Sequence, residues 1–254
     1  MLINTVILFI RDTLPVFLLI SLLAAQPGMR LSWIFAATLL GLILSGALYM
    51  NLPYVSQFAE GGGLELTKVV VLTLCFICLC EFTRRTYQAS AYRHYWAIPL
   101  MAGITLCNAI HFIIYSVAYW PGEQADTGLI LGTIIGIGIS LSLCILLFTL
   151  VSTVHSHKAR TIILVIFCAG QFAGIPLLLE QINFLSDSSR LWDTSAWIAD
   201  DSEYGHLLNV LFGYEATPGL LYLLTYLATM SLPFAYAGIM TKLFSSQQIG
   251  ASAK

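Results

Sequence analysis

Apolar runs of about 20 residues, the length of helix that crosses the hydrocarbon core of a bilayer, recur along the whole of this chain. Read with the breaks that flank them, they predict seven spans at roughly 2–25, 33–53, 64–83, 95–120, 126–153, 159–181 and 217–243. The composition points the same way: 58% of the 254 residues are hydrophobic and 9% are charged, whereas soluble domains carry about 25% charged residues. The expected fold class is an all-α integral membrane protein, with residues 1–254 forming one polytopic membrane domain. A net charge of −2 gives no electrostatic pull toward nucleic acid, so membrane lipid is an expected partner and nucleic acid is not.

The N-terminal run has no basic leader and no small-residue cleavage site, and Arg11 interrupts it, so it is expected to persist as the first span. All six cysteines (Cys75, Cys78, Cys80, Cys107, Cys144 and Cys168) fall in apolar stretches rather than loops, which predicts no structural disulfide. Cys75, Cys78 and Cys80 are close enough in sequence to suggest a metal cluster. Free cysteine inside an apolar helix behaves as a small hydrophobe, however, and that reading is preferred.

Basic residues set the expected orientation. Arg30, Arg84, Arg85, Arg93, Lys158, Arg160, Lys242 and Lys254 fall in alternate connections. The other connections hold Arg190 alone, among Glu60, Glu123, Asp126, Asp187, Asp193, Asp200, Asp201 and Glu203. The N-terminus is therefore expected outside and the C-terminus inside. The long connection 182–216 mixes acidic residues with Trp192, Trp197, Leu207 and Leu208, and is expected to form a partly ordered external cap. Gly41-Leu42-Ile43-Leu44 in the second span recurs as Gly128-Leu129-Ile130-Leu131 in the fifth. Because three spans separate them, the expected repeat is inverted: two three-helix repeats plus a C-terminal helix, an arrangement that places a substrate site at the midplane.

An ionisable residue inside a span costs roughly a few kcal/mol or more, so it tends to face the bundle interior or a pathway. Three places stand out. In Arg11-Asp12-Thr13-Leu14-Pro15 the adjacent charges point about 100° apart, so each is expected to need a partner elsewhere. Pro15 frees a carbonyl near residue 11, which suggests a local break; a purely structural anchor role for Arg11 is the competing reading. Glu65 and Lys68, three apart after Gly61-Gly62-Gly63, can pair on one face, as a plain ion pair or a functional one. Glu81 and Glu180, near the ends of their spans, carry the same two readings. Cys107 and His111, four apart, present a thiolate and an imidazole suited to borderline or soft metals, although a lone intramembrane histidine is more often a packing residue.

Other stretches are more distinctive. Gly63-Leu64-Glu65-Leu66 opens the third span and Gly128, Gly132 and Gly136 begin the fifth. Leu191-Trp192-Asp193-Thr194-Ser195 is followed by Leu211-Phe212-Gly213-Tyr214-Glu215-Ala216-Thr217-Pro218. With Arg11 to Pro15, and Leu106-Cys107-Asn108-Ala109-Ile110-His111 in the fourth span, these resemble the oxidase-dependent iron transporters, the high-affinity iron permease family of bacteria and fungi, over nearly the whole chain. The resemblance implies seven spans, an outside N-terminus, and an Arg-Glu-Gly-x-Glu motif in the first and fourth spans whose glutamates bind iron. Here the first copy keeps Arg11, shortens a glutamate to Asp12 and ends in Pro15, while the second has no carboxylate. Cys107 and His111 suit ferrous iron, copper or zinc better than ferric iron.

The expected function is thus a transmembrane metal permease, for iron by resemblance, in a bacterial-type inner membrane. Asp12, Asn108, His111, Cys107 and Glu65 are the expected cation residues, supported by Arg11 and Lys68. The metal is cargo, and no permanently bound cofactor is expected. No enzyme activity is expected either, since the spans hold no His-rich cluster and no nucleophile with a base, and no nucleotide-binding motif offers ATP coupling. The alternative is a transport-deficient subunit or sensor that docks a periplasmic metal-binding protein or oxidase on the cap.

Overall fold

A computed structural model describes residues 2–88, 90–119, 126–186 and 189–252. Glu123, Asp187 and Lys254 lie outside the described residues, as do the side chains of Asp126, Gly128, Leu129, Glu203 and Lys242. The described chain is all-helical, its only extended pairing being one antiparallel bridge between Arg190 and Gly219. The helices are α1 (Leu2–Ala24), α2 (Leu31–Met50), α3 (Leu52–Val55), α4 (Gly63–Tyr87), α5 (His94–Tyr119), α6 (Asp126–Thr153), α7 (His157–Ala173), α8 (Ile175–Gln181), α9 (Glu203–Phe212) and α10 (Leu220–Ser252). Among the described residues six stretches are long and apolar enough to cross a membrane: Leu31–Met50, Gly63–Tyr87, His94–Val117, Ile130–Thr153, His157–Gln181 and Leu220–Thr241.

The centre of the bundle is α1, whose Leu14, Leu18, Leu19, Leu22 and Leu23 are all but inaccessible. It packs along α6 and against α5, while α2 packs along α5, and α4 lies between α5 and α10. Helices surrounded by lipid gain little from burying leucine against leucine, so close packing and small residues decide where they meet. The contacts fit that rule. A Cβ on Gly41 of α2 would stand 2.5 Å from the Ala102 carbonyl oxygen and 2.6 Å from Thr105 Cβ of α5. A Cβ on Gly136 of α6 would stand 2.6 Å from Phe9 Cβ of α1. Beside that second crossing Thr13 and Ser140 share a hydrogen bond of 3.1 Å, and the Phe9 and Phe112 rings meet edge to face at 4.4 Å. Gly41→Ala is therefore expected to force α2 off α5 and to cost about 1–3 kcal/mol of stability. Gly46→Ala, with nothing within 4 Å of the new atom, is expected to be neutral or slightly stabilising. Thermal unfolding of the two variants in detergent measures the difference.

One sequence expectation is corrected and two are refined. The stretch expected as the sixth span is one membrane-length stretch, His157–Gln181, with a turn at Gly174 between α7 and α8, where Pro176 has no N–H for the preceding turn. No break accompanies Pro15: α1 runs helical through it, held by neighbours along its length. The cap contains a true helix, α9. The Ser202 hydroxyl accepts the Gly205 N–H at 3.0 Å to start it, and left-handed Gly213 (φ 67°) ends it.

The connections bearing the arginines meet at one end of the bundle. Arg160 donates to three carbonyls at helix ends, Ala25 at 2.5 Å, Val154 at 2.7 Å and Ser152 at 2.9 Å. Arg93 donates to the Pro27 carbonyl, Lys158 lies 5.5 Å from the Tyr87 ring and Arg85 5.8 Å from that of Trp96. At the same end of α4, Glu81 accepts from Arg84 at 2.7 Å and from the Tyr236 hydroxyl at 2.6 Å. Glu81 is thus a structural anchor between α4 and α10.

Candidate functional site

Midway along α1, Arg11 Nε contacts Asp12 Oδ1 at 3.0 Å. One expectation fails here. The adjacent charges do neutralise each other, because the long arginine arm bends back across the 100° that separates their Cα–Cβ directions. Burial divides the pair: Asp12 is 5% exposed and Arg11 46% exposed. The second carboxylate oxygen, Oδ2, is fully buried with no hydrogen-bond partner. An unpaired buried carboxylate oxygen is costly, so it marks a position that a cation or proton can fill.

The opposite wall comes from α4 and α5. The side chain of Lys68, 4% exposed, bonds through Nζ to His111 Nε2. The i,i+3 pairing expected with Glu65 does not form; a partner across the helix interface displaces it. An ammonium is a donor only, so Nε2 of His111 accepts and Nδ1 carries the ring proton. Lys68 also interacts electrostatically with Cys107, Glu65, Asp12 and Arg11. Cys107 is buried, whereas His111 and Arg11 are exposed. Helices α4 and α5 thus bring Lys68 and His111 together, with Cys107 of α5 and Asp12 of α1 within electrostatic reach of Lys68.

Two expected members stand apart. The Asn108 amide turns back on its own helix and donates to the Ile104 carbonyl at 2.8 Å. Glu65 lines a cleft of about 610 Å³ with Tyr49, Met50, Pro53, Ser56 and Leu64, one turn of α4 from Lys68. The glycine run before it shapes this cleft. Gly61 is left-handed (φ 107°), Gly62 abuts Ile182 and Gly63 abuts the Val55 carbonyl. Among the described residues no group of three or more His, Cys, Asp and Glu side chains stands arranged to hold a metal ion. An arriving cation would meet Lys68 and Arg11, and each unit charge at 4 Å repels it by about 4 kcal/mol at an effective dielectric constant near 20. The ring nitrogen of His111 that faces the cluster is already occupied by Lys68.

The Cys75, Cys78 and Cys80 thiols behave as packing groups. Cys75 is buried against α5, 3.8 Å from the Pro99 and Leu100 carbonyl oxygens, and all six cysteines are free.

The two cap stretches singled out in the sequence pack on each other. Thr194 donates its N–H to the Ala216 carbonyl at 2.9 Å and its hydroxyl meets the Tyr214 hydroxyl at 2.8 Å, while the Leu191 N–H reaches the Pro218 carbonyl at 3.0 Å. Asp200 accepts the Ala216 N–H at 2.7 Å. The bonds from Ser195 hold the Asp193 carboxyl below its ordinary value. Glu215 is opposite in sign: burial, and then the nearby Asp200 carboxylate, push its carboxyl above the usual 4.5. A carboxyl raised in the folded state stabilises that state below its ordinary value, and the contribution is lost as pH rises through the raised value. Asp200→Asn is expected to lower the Glu215 titration midpoint while leaving the part due to burial; carbon NMR of labelled glutamate carboxyls measures it.

No protein-family model, curated protein or solved structure matches this chain.

Proposed function

We propose that the chain is a cation permease of a bacterial-type inner membrane, related to the high-affinity iron permeases, with iron as the leading cargo and copper or zinc as alternatives. The observation that carries this reading is the free Oδ2 of buried Asp12 on α1, within electrostatic reach of Lys68, whose Nζ is bonded to His111. In this reading α1 spans with the six other stretches, the N-terminus and cap face outside, and the arginine-lined end faces inside. The Glu65 cleft then lies on the outer side, where a carboxylate draws cations toward Lys68 and Asp12.

Packing supports an inverted repeat. If α1, α2 and α4 correspond to α5, α6 and α7, the long α1–α6 contact and the long α2–α5 contact are equivalent. The two close glycine crossings agree in register: Gly41 and Gly136 are 95 residues apart, and their partners Thr105 and Phe9 are 96 apart. That register sets Arg11 opposite Cys107, Asp12 opposite Asn108 and Pro15 opposite His111, the alignment of the two motif copies. The Gly-Leu-Ile-Leu echo falls eight residues out of this register, about two helical turns, and lends it no support.

A second reading is favoured by the Lys68–His111 bond, which occupies the cluster without cargo. In it the chain is a transport-deficient subunit, and Trp197, 91% exposed on the cap, meets a periplasmic metal-binding protein or oxidase. Uptake by proteoliposomes containing this chain alone separates the two. The permease reading expects accumulation of at least one of ferrous, ferric, cuprous and zinc ions above protein-free vesicles; no accumulation of any of them contradicts it.

A further inference from the structure

We propose that the cleft between α4 and α10 seats one anionic phospholipid, with an acyl chain along Ile77, Leu232 and Ile239 and the phosphate on Arg85 and Lys158. Its polar wall, Glu81, lies about 20 Å along α4 from Lys68, so the inference stands whether or not the chain carries a cation.

The cleft encloses about 480 Å³, within the roughly 300–1,000 Å³ of sites that hold one discrete molecule. Ile77, Leu232 and Ile239 in its walls are each about half exposed, so it opens outward from the bundle, where lipid would lie. The lining from Leu232 to Ile239 covers about 10 Å of α10. That length suits the part of an acyl chain nearest its headgroup. Glu81 and Tyr236 are the polar groups of the lining, joined by a bond of 2.6 Å.

Charge selects the headgroup. Glu81 is the sole acidic residue between Lys68 and Glu123, none stands between Asp126 and Glu180, and α10 carries none. Arg84 already neutralises Glu81, donating to Oε2 from Nε at 3.1 Å and from a terminal nitrogen at 2.7 Å. Arg85 is then in excess. Its Nε lies 3.5 Å from the same oxygen, buried and without a hydrogen bond, while its guanidinium stands over the Trp96 ring. Lys158, exposed on α7, lies over the ring of Tyr87, one turn of α4 beyond Arg84. Three cations therefore surround one carboxylate beside the cleft, and Lys242 follows Ile239 by one turn of α10. A phosphodiester supplies the missing negative charge, with oxygens that match the planar fork of a guanidinium. Basic pockets between membrane helices take phospholipid headgroups in this way. A zwitterionic lipid would bring its own cation to the same place, where Arg85 and Lys158 repel it.

The test counts bound lipid. The whole protein in detergent is given phosphatidylglycerol or phosphatidylcholine with the same acyl chains, and native mass spectrometry measures what it retains. The wild type is expected to keep one phosphatidylglycerol, at least about fivefold more often than phosphatidylcholine. Lys158→Met is expected to weaken retention about threefold, and Arg85→Met combined with it at least about tenfold. Ala235→Trp, which fills the cleft and leaves every charge in place, is expected to lose the lipid as well. Arg30→Met removes an exposed charge at the same end, before α2, and is expected to change nothing. Equal retention of the two lipids, full retention in Ala235→Trp, or an equal loss in Arg30→Met overturns the site. Excess sodium phosphate is expected to leave the lipid bound; displacement by it would mark a site for free anions and overturn the assignment to lipid. If the double variant does not fold, Lys158→Met and Ala235→Trp decide, and full retention in either overturns the proposal.

Discussion

Asp12→Asn is expected to reduce cation uptake by at least about tenfold while leaving a folded protein in the membrane. A lost charge-assisted contact is worth about 1.5–3 kcal/mol, and 1.4 kcal/mol is a factor of ten. The substitution keeps the shape of the side chain, so α1 still packs on α5 and α6. Its cost to folding is limited because Arg11, which loses its carboxylate, is 46% exposed and can turn to water or headgroups. His111→Ala removes a ring bonded to Lys68 of α4, and is expected to abolish uptake or shift the preference among metals. Initial uptake rates and thermal unfolding on the same preparations distinguish ligand loss from misfolding. Unchanged uptake per folded molecule in both variants would remove these residues from the pathway.

The largest loss of stability is expected from Arg160→Met. Its guanidinium ties the end of α1 to the end of α6 through the Ala25, Ser152 and Val154 carbonyls. At about 1–1.5 kcal/mol for each bond of a partly buried arginine, removal costs about 3–4 kcal/mol, which corresponds to a Tm lower by roughly 6–15 °C in a chain of this size. Lys158→Met is the control. Its contact is with the face of the Tyr87 ring at 5.5 Å, and the loss is expected to stay near 0.5–1 kcal/mol. Equal Tm values for the two variants would show that the clamp contributes nothing to the bundle.

The helical class was legible because every apolar run is long and lipid demands internally satisfied backbone, which leaves few alternatives. The site was legible in part. Asp12, Cys107 and His111 announce themselves as polar groups in apolar surroundings; His111 is bonded to Lys68, and Asp12 and Cys107 lie within electrostatic reach of that lysine. Lys68 was underrated because the sequence shows its neighbour Glu65, three residues away, and not His111, which comes near only through the crossing of α4 and α5. Arg11 and Asp12 were separated by a rule about helix faces that ignores the reach of an arginine. Asn108 is expected in the site from its motif position, yet its amide donates to the Ile104 carbonyl one turn earlier on the same helix, a competition that no pattern reveals. For α9 the signals were present in Ser202, Gly213 and Pro218, a start, a stop and a following breaker. They give the partial order expected of the 182–216 connection its form, a ten-residue helix.

The most direct test of the central claim is X-ray absorption at the metal edge of purified protein loaded with ferrous iron or zinc. If Asp12 and His111 hold the cargo, the wild type gives an oxygen and nitrogen shell with the outer scattering of an imidazole, and His111→Ala loses the imidazole signal while Asp12→Asn loses an oxygen. Spectra of both variants that superimpose on the wild type, at the same metal content, would contradict it.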